Sequence, residues 1–159
     1  MDKNKKKDKT LNNNMALKLN GKSFFFQSFS CKYYLDSNHC GDLFLNPTER
    51  QGFQKWEFQM ADLPGFYFIK NTFTGLYASS NESGELFSNI FNPNSSYQRW
   101  RVNLTSEPEW NVIFNVGNDL ILGLNKENKL MLKVFDKVLF EKLETTYVFL
   151  LFSKKPEKR

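Results

Sequence analysis

The side chains best equipped for chemistry lie close together. His39 is the single histidine, Cys40 follows it, and Cys31 is the other cysteine. Three such groups begin a metal site, but a tetrahedral zinc centre takes four ligands at recurrent spacings, and no fourth stands in register. We therefore expect no metal. Two cysteines allow one disulfide at most. With no apolar leader behind the charged N-terminus, two free thiols and a cytoplasmic location are the expectation. A single histidine also narrows catalysis. The chain shows neither a nucleophile elbow nor a glycine-rich phosphate loop, and its acidic pairs have no supporting context. The reading is a binding protein, with no catalytic residue and no cofactor.

The net charge of +5 hints at nucleic acid, but its distribution does not. Residues 1–22 carry seven lysines against Asp2 and Asp8. Residues 153–159 carry three lysines and Arg159 against Glu157, so the segment between is net negative. Such lysine-rich tails solvate, or add electrostatic pull toward an acidic or ribonucleoprotein partner. Three sequons, at Asn81, Asn94 and Asn103, matter only in a secreted protein.

Any site must be positioned by what lies between the tails. Residues 1–20 are rich in Lys and Asn and read as a disordered tail, and 154–159 as a basic C-terminal tail. After Gly21 the pattern becomes short apolar runs separated by Gly, Asn, Pro and Ser. Phe66–Ile69, Val112–Phe114 and Val148–Phe152 are examples, and they predict many short strands. Residues 133–144 have helical spacing at Val134 and Val138, enough for one turn of helix. No run is long and apolar enough to span a bilayer.

The chain repeats itself. Tyr34-Leu-Asp-Ser-Asn38 and Tyr77-Ala-Ser-Ser-Asn81 are each followed by Gly (Gly41, Gly84), an acid and Leu-Phe. Phe53-Gln-Lys-Trp56 and Tyr97-Gln-Arg-Trp100 close the two copies, 44 residues apart. A third copy has Leu122-Gly-Leu-Asn125, then Asn128 for the glycine, Leu130-Met131, and Tyr147-Val-Phe149 for Gln-x-Trp. Three such units, at about 21–62, 63–106 and 107–153, must share one core, because one unit cannot bury its apolar face alone. Twelve strands closing on themselves also remove exposed edges. The predicted fold is all-β, a single β-trefoil over 21–153, with Trp56, Trp100 and Phe149 as equivalent core residues. The recurring Asn38, Asn81 and Asn125, with the Gly or Asn after them, suit a turn with positive φ.

These motifs resemble the ricin B-chain-type lectin domain. Gly65 to Tyr77 with Ser80-Asn81, Gly84 and Tyr97-Gln-Arg-Trp100 is similar to one unit of that family, and Tyr34 to Trp56 to another. The likeness is good over 21–102 and weak over 108–152. It implies a β-trefoil that binds galactose-type or related sugars, or a module that has lost sugar binding and serves protein interaction. In such lectins an Asp after the Tyr-Leu strand accepts hydrogen bonds from paired sugar hydroxyls while a ring meets the C–H face. Asp36 matches that Asp, with Asn38, Asn46 and Gln54 as helpers. Ser79 and Gly123 stand at the corresponding places in the other units, and Asn46 occupies the place of the stacking aromatic. The resemblance thus implies one degenerate site, in the first unit, for a glycan or glycoprotein. The alternative is a protein or ribonucleoprotein partner engaged through loops and tails.

Overall fold

Alternation sets the strands. In Lys55–Met60 the side chains of Trp56 and Phe58 are fully buried while Lys55, Glu57 and Gln59 are exposed or half-buried, the period-two pattern of a strand with one face on a core. The computed structural model describes residues 19–50, 52–62, 65–104, 111–135 and 144–152. Of the predicted tails at 1–20 and 154–159, residues 1–18 and 154–159 lie outside the described residues, while Leu19 and Asn20 belong to the fold: Leu19 is buried in the core and Asn20 Oδ1 accepts from the Met60 N–H at 2.9 Å.

Twelve strands follow one another. They are β1 (Ser23–Ser28), β2 (Tyr34–Ser37), β3 (Leu43–Asn46), β4 (Lys55–Met60), β5 (Phe66–Asn71), β6 (Tyr77–Ser79), β7 (Phe87–Asn89), β8 (Trp100–Leu104), β9 (Asn111–Asn115), β10 (Ile121–Leu124), β11 (Leu130–Lys133) and β12 (Phe149–Phe152). Short 3-10 turns occupy Ser96–Gln98 and Glu144–Tyr147. Of the stretch with helical spacing, Lys133 closes β11, Val134 and Phe135 are exposed, and 136–143 lie outside the described residues.

Pairing closes a six-stranded barrel: β1 with β4, β4 with β5, β5 with β8, β8 with β9, β9 with β12, and β12 back to β1. The hairpins β2–β3, β6–β7 and β10–β11 attach to it through β1, β5 and β9. This is a β-trefoil.

Register makes the pseudo-threefold symmetry concrete. Trp56 stands opposite Asn71, Trp100 opposite Asn115 and Phe149 opposite Ser28. All three aromatics are buried, and each indole N–H donates to the carbonyl of its own unit's second strand, Leu35 at 3.1 Å and Ala78 at 2.9 Å. Phe149 fills the third slot without a donor. Opposite these aromatics on the other side stand Phe24, Tyr67 and Asn111. The Tyr67 phenol is buried with no hydrogen-bond partner, and burial pushes its pKa up to about 12.

The hairpin turns repeat too. Asn38 Oδ1 accepts from the backbone N–H of Cys40 and Asp42, Asn81 Oδ1 from Glu85, and Asn125 Oδ1 from Glu127 and Lys129. Each turn then needs a left-handed residue, supplied by Gly41 (φ 85), Gly84 (φ 76) and, in the third unit, Asn128 (φ 60). Asn tolerates that region better than any other non-glycine residue. Among the described residues no helix is long and apolar enough to cross a membrane.

Candidate functional site

The loop between β3 and β4 begins at Asn46 and ends at Gln54. It is held from beneath by the strand residue Asp36, whose position on β2 faces inward. Asp36 is fully buried, and its carboxylate gathers donors from four directions. Oδ1 accepts from the Ser37 N–H at 2.7 Å; Oδ2 accepts from Asn46 Nδ2 at 2.9 Å and Gln54 Nε2 at 3.2 Å. Arg50 Nη1 lies 3.6 Å from Oδ2, on a side chain that remains 38% exposed. A buried carboxylate is tolerated when it is paired and hydrogen-bonded in this way.

Gln54 acts on the loop backbone as well. Its Oε1 accepts from Arg50 N–H at 2.9 Å and its Nε2 donates to the Thr48 carbonyl at 2.8 Å. Asn46 Oδ1 accepts from Thr48 N–H. Asp36, Asn46 and Gln54, singled out from the sequence, therefore form one cluster, and Arg50 joins it. Asn38 does not. Its side chain closes the β2–β3 turn and donates to Asp42 Oδ2 at 2.8 Å. Tyr34, at the start of β2, has its phenol pKa raised, first by burial and then by the nearby Glu49 carboxylate.

The corresponding pairs in the other units differ in kind. In the second, Gln98 keeps the backbone role: Oε1 accepts from Asn92 N–H at 2.7 Å and Nε2 donates to the Ile90 carbonyl at 2.8 Å. Ser79 replaces the carboxylate and its hydroxyl turns back to the Tyr77 carbonyl. In the third, Gly123 faces Tyr147, whose ring would lie 2.6 Å from any added Cβ. An Asp–Gln pair, a Ser–Gln pair and a Gly–Tyr pair thus occupy one position of the fold.

Three rings meet beside the first cluster. Phe53 and Phe73 have ring centroids 4.4 Å apart, and His39 lies 5.4 Å from Phe53 and 5.6 Å from Phe73. The Arg50 guanidinium sits 4.5 Å from the Phe53 centroid. Phe73 belongs to the β5–β6 turn of the next unit. Asn71 ties the two loops, donating to the Phe53 carbonyl at 2.8 Å and accepting from the Phe73 N–H at 3.1 Å. Asn115 does the same work between the Tyr97 carbonyl and the Gly117 N–H. This brace was visible in the sequence as Asn71 and Asn115 at the repeat spacing, ahead of two turn-forming stretches.

Cys31 and Cys40 are free, and among the described residues no group of His, Cys, Asp and Glu is placed to hold a metal ion.

No family model and no curated protein matches the chain. Solved structures do. SeviL bound to asialo-GM1 saccharide superposes with a TM-score of 0.67 at 16% identity, over 83% of this chain and 97% of the other. ThreeFoil, a designed 3-fold symmetric protein, gives 0.67 at 11% identity, over 82% and 97%. At such identity the likeness bears on the fold, and both neighbours agree with the β-trefoil described above.

Proposed function

We infer that the chain is a non-catalytic carbohydrate-binding module whose single site lies on the first unit. The observation that carries this reading is the cluster at Asp36. Among the described residues, only the first unit has a buried carboxylate that holds side chains reaching the surface, Asn46 and Arg50, beside exposed rings. A pyranose offers that combination what it needs: hydroxyls for fixed polar groups and a C–H face for a ring. The ricin-type pattern of the Gln-x-Trp units and the saccharide bound by SeviL support the same reading.

A glycan array probed with the whole chain tests it. Binding to at least one oligosaccharide, lost on Asn46→Ala and Arg50→Ala with folding intact, is the expected result. A blank array would overturn it.

A second reading has one observation in its favour. Ile90-Phe91 and Val134-Phe135 follow β7 and β11 at matching places, and Ile90 and Val134 are 75% and 76% exposed. Exposed apolar pairs on loops suit a protein partner. A pulldown from lysate that survives excess free sugar and is lost on Ile90→Asp would favour this second reading.

A further inference from the structure

The ring cluster is more than the fold requires. Phe73 is 56% exposed, so it adds little to the core. It stands third in the turn after β5, two residues beyond Asn71. The matching places after β1 and β9 hold Ser30 and Gly117, two residues beyond Ser28 and Asn115, and both turns form without a ring. At Gly117 a Cβ would lie 2.4 Å from the Tyr97 ring, so there the equivalent of Phe53 fills the space itself. Between the first and second units the opposite choice is made. Gly52, at φ 81, leaves room for Phe73, which would lie 2.9 Å from a Cβ at that position.

The polar groups at the rim differ in exposure. The Asp36 carboxylate is fully buried, whereas the Arg50 guanidinium and the His39 ring reach solvent. Asp42, the acid in the same turn as His39, has Oδ2 engaged by Asn38. The polar groups nearest the rings, on Arg50 and His39, supply N–H donors, while the acids Asp42 and Glu49 lie in the adjoining turn and loop. Arginine is weakly hydrated and its planar fork fits a carboxylate or sulfate oxygen pair.

Resting on the carbohydrate reading above, we propose that the sugar site is composite. Phe73 of the second unit, packed on Phe53 of the first, forms its stacking face, and Arg50, anchored on Asp36, receives an acidic substituent of the saccharide. The ligand class is an acidic glycan, one bearing a carboxylate or sulfate, in which a sugar ring lies against Phe73 and its anionic group lies toward Arg50. Asp36 itself is a positioning residue.

The test is a calorimetric titration of the full chain with matched pairs: the asialo-GM1 saccharide against its sialylated counterpart, and a sulfated uronic-acid oligosaccharide against its desulfated form. The acidic member of at least one pair should bind about 10-fold tighter or more, as one charge-assisted contact provides. Phe73→Ala should weaken it by about 10-fold, the size of one lost ring contact, without moving Tm. Arg50→Gln should remove the acidic preference. Because that change also takes a cation from Asp36, its Tm is measured, and Phe73→Ala, which disturbs no buried charge, carries the test alone if the variant is unstable. Ile90→Ala, on the second unit, should leave binding unchanged. Equal affinity for both members of every pair, or full binding by Phe73→Ala, would overturn the composite acidic site while leaving glycan recognition standing. If neither member of any pair binds and the glycan array is also blank, the carbohydrate reading itself falls.

Discussion

The loops that end in Gln54-Lys-Trp56 and Gln98-Arg-Trp100 are the same device with different contents. In both, glutamine ties the loop backbone with one accepted and one donated hydrogen bond, and tryptophan drives into the core while donating to its unit's second strand. The first loop alone adds a buried carboxylate. Asp36 draws Asn46, Gln54 and Arg50 together, where Ser79 in the second unit only returns a bond to its own strand. The shared part serves the fold, since it survives without the acid. The added part introduces a charge that must be held at the cost of desolvation, so its presence is weak evidence of a gain in stability.

This comparison breaks first at Asp36. Asp36→Ala takes one acceptor from the amides of Asn46 and Gln54 and an anion from beside Arg50, and should cost about 2–4 kcal/mol in a denaturant titration. Ser79→Ala should cost less than about 1 kcal/mol. Similar losses at the two sites would mean that the acid is not special. The glutamines come next. Gln54→Ala and Gln98→Ala each remove two backbone anchors and should cost roughly 2–3 kcal/mol apiece. Gln54 should be the larger, because it also donates to Asp36; the reverse order in Tm would contradict its dual role.

The third unit sharpens the comparison more gently. Its turn uses Asn128 where the others use glycine. Gly84→Ala should cost about 1–2 kcal/mol, since alanine is strained at positive φ. Asn128→Gly should lie within about 0.5 kcal/mol of the parent. Gly41→Ala should exceed Gly84→Ala, because the added Cβ would meet the Ser88 carbonyl oxygen at 2.6 Å rather than the end of the Leu120 side chain. The smallest stability effect belongs to Phe73→Ala, within about 0.5 kcal/mol for an exposed side chain.

The fold was largely legible because the trefoil writes itself three times. Trp56 and Trp100 could be aligned by spacing and Phe149, behind a longer loop, by the motif around it, and a core slot accepts any large ring. Asn128 for glycine was equally readable, as its turn chemistry is local. The cluster at Asp36 was legible only where its members share a unit: Asp36, Asn46 and Gln54, singled out by the resemblance to ricin-type lectins, are hydrogen-bonded together. The burial of Asp36 was not readable, because it depends on how the ends of the β3–β4 loop, Asn46 and Gln54, close on the carboxylate. Phe73 was missed for a different reason. It arrives from the neighbouring turn of the next unit, and an exposed ring leaves no trace in hydrophobic periodicity. Asn38 carried two meanings in the sequence, and its side chain is engaged in the turn.

The most direct test of a single site on the first unit is a titration of isotope-labelled protein with the tightest-binding glycan, followed by backbone and side-chain NMR shifts. The account predicts perturbations confined to His39, Asn46, Arg50, Phe53 and Phe73, with Asn89 to Phe91 and Lys133 to Phe135 unmoved. Shifts centred on the second or third loop instead would contradict it.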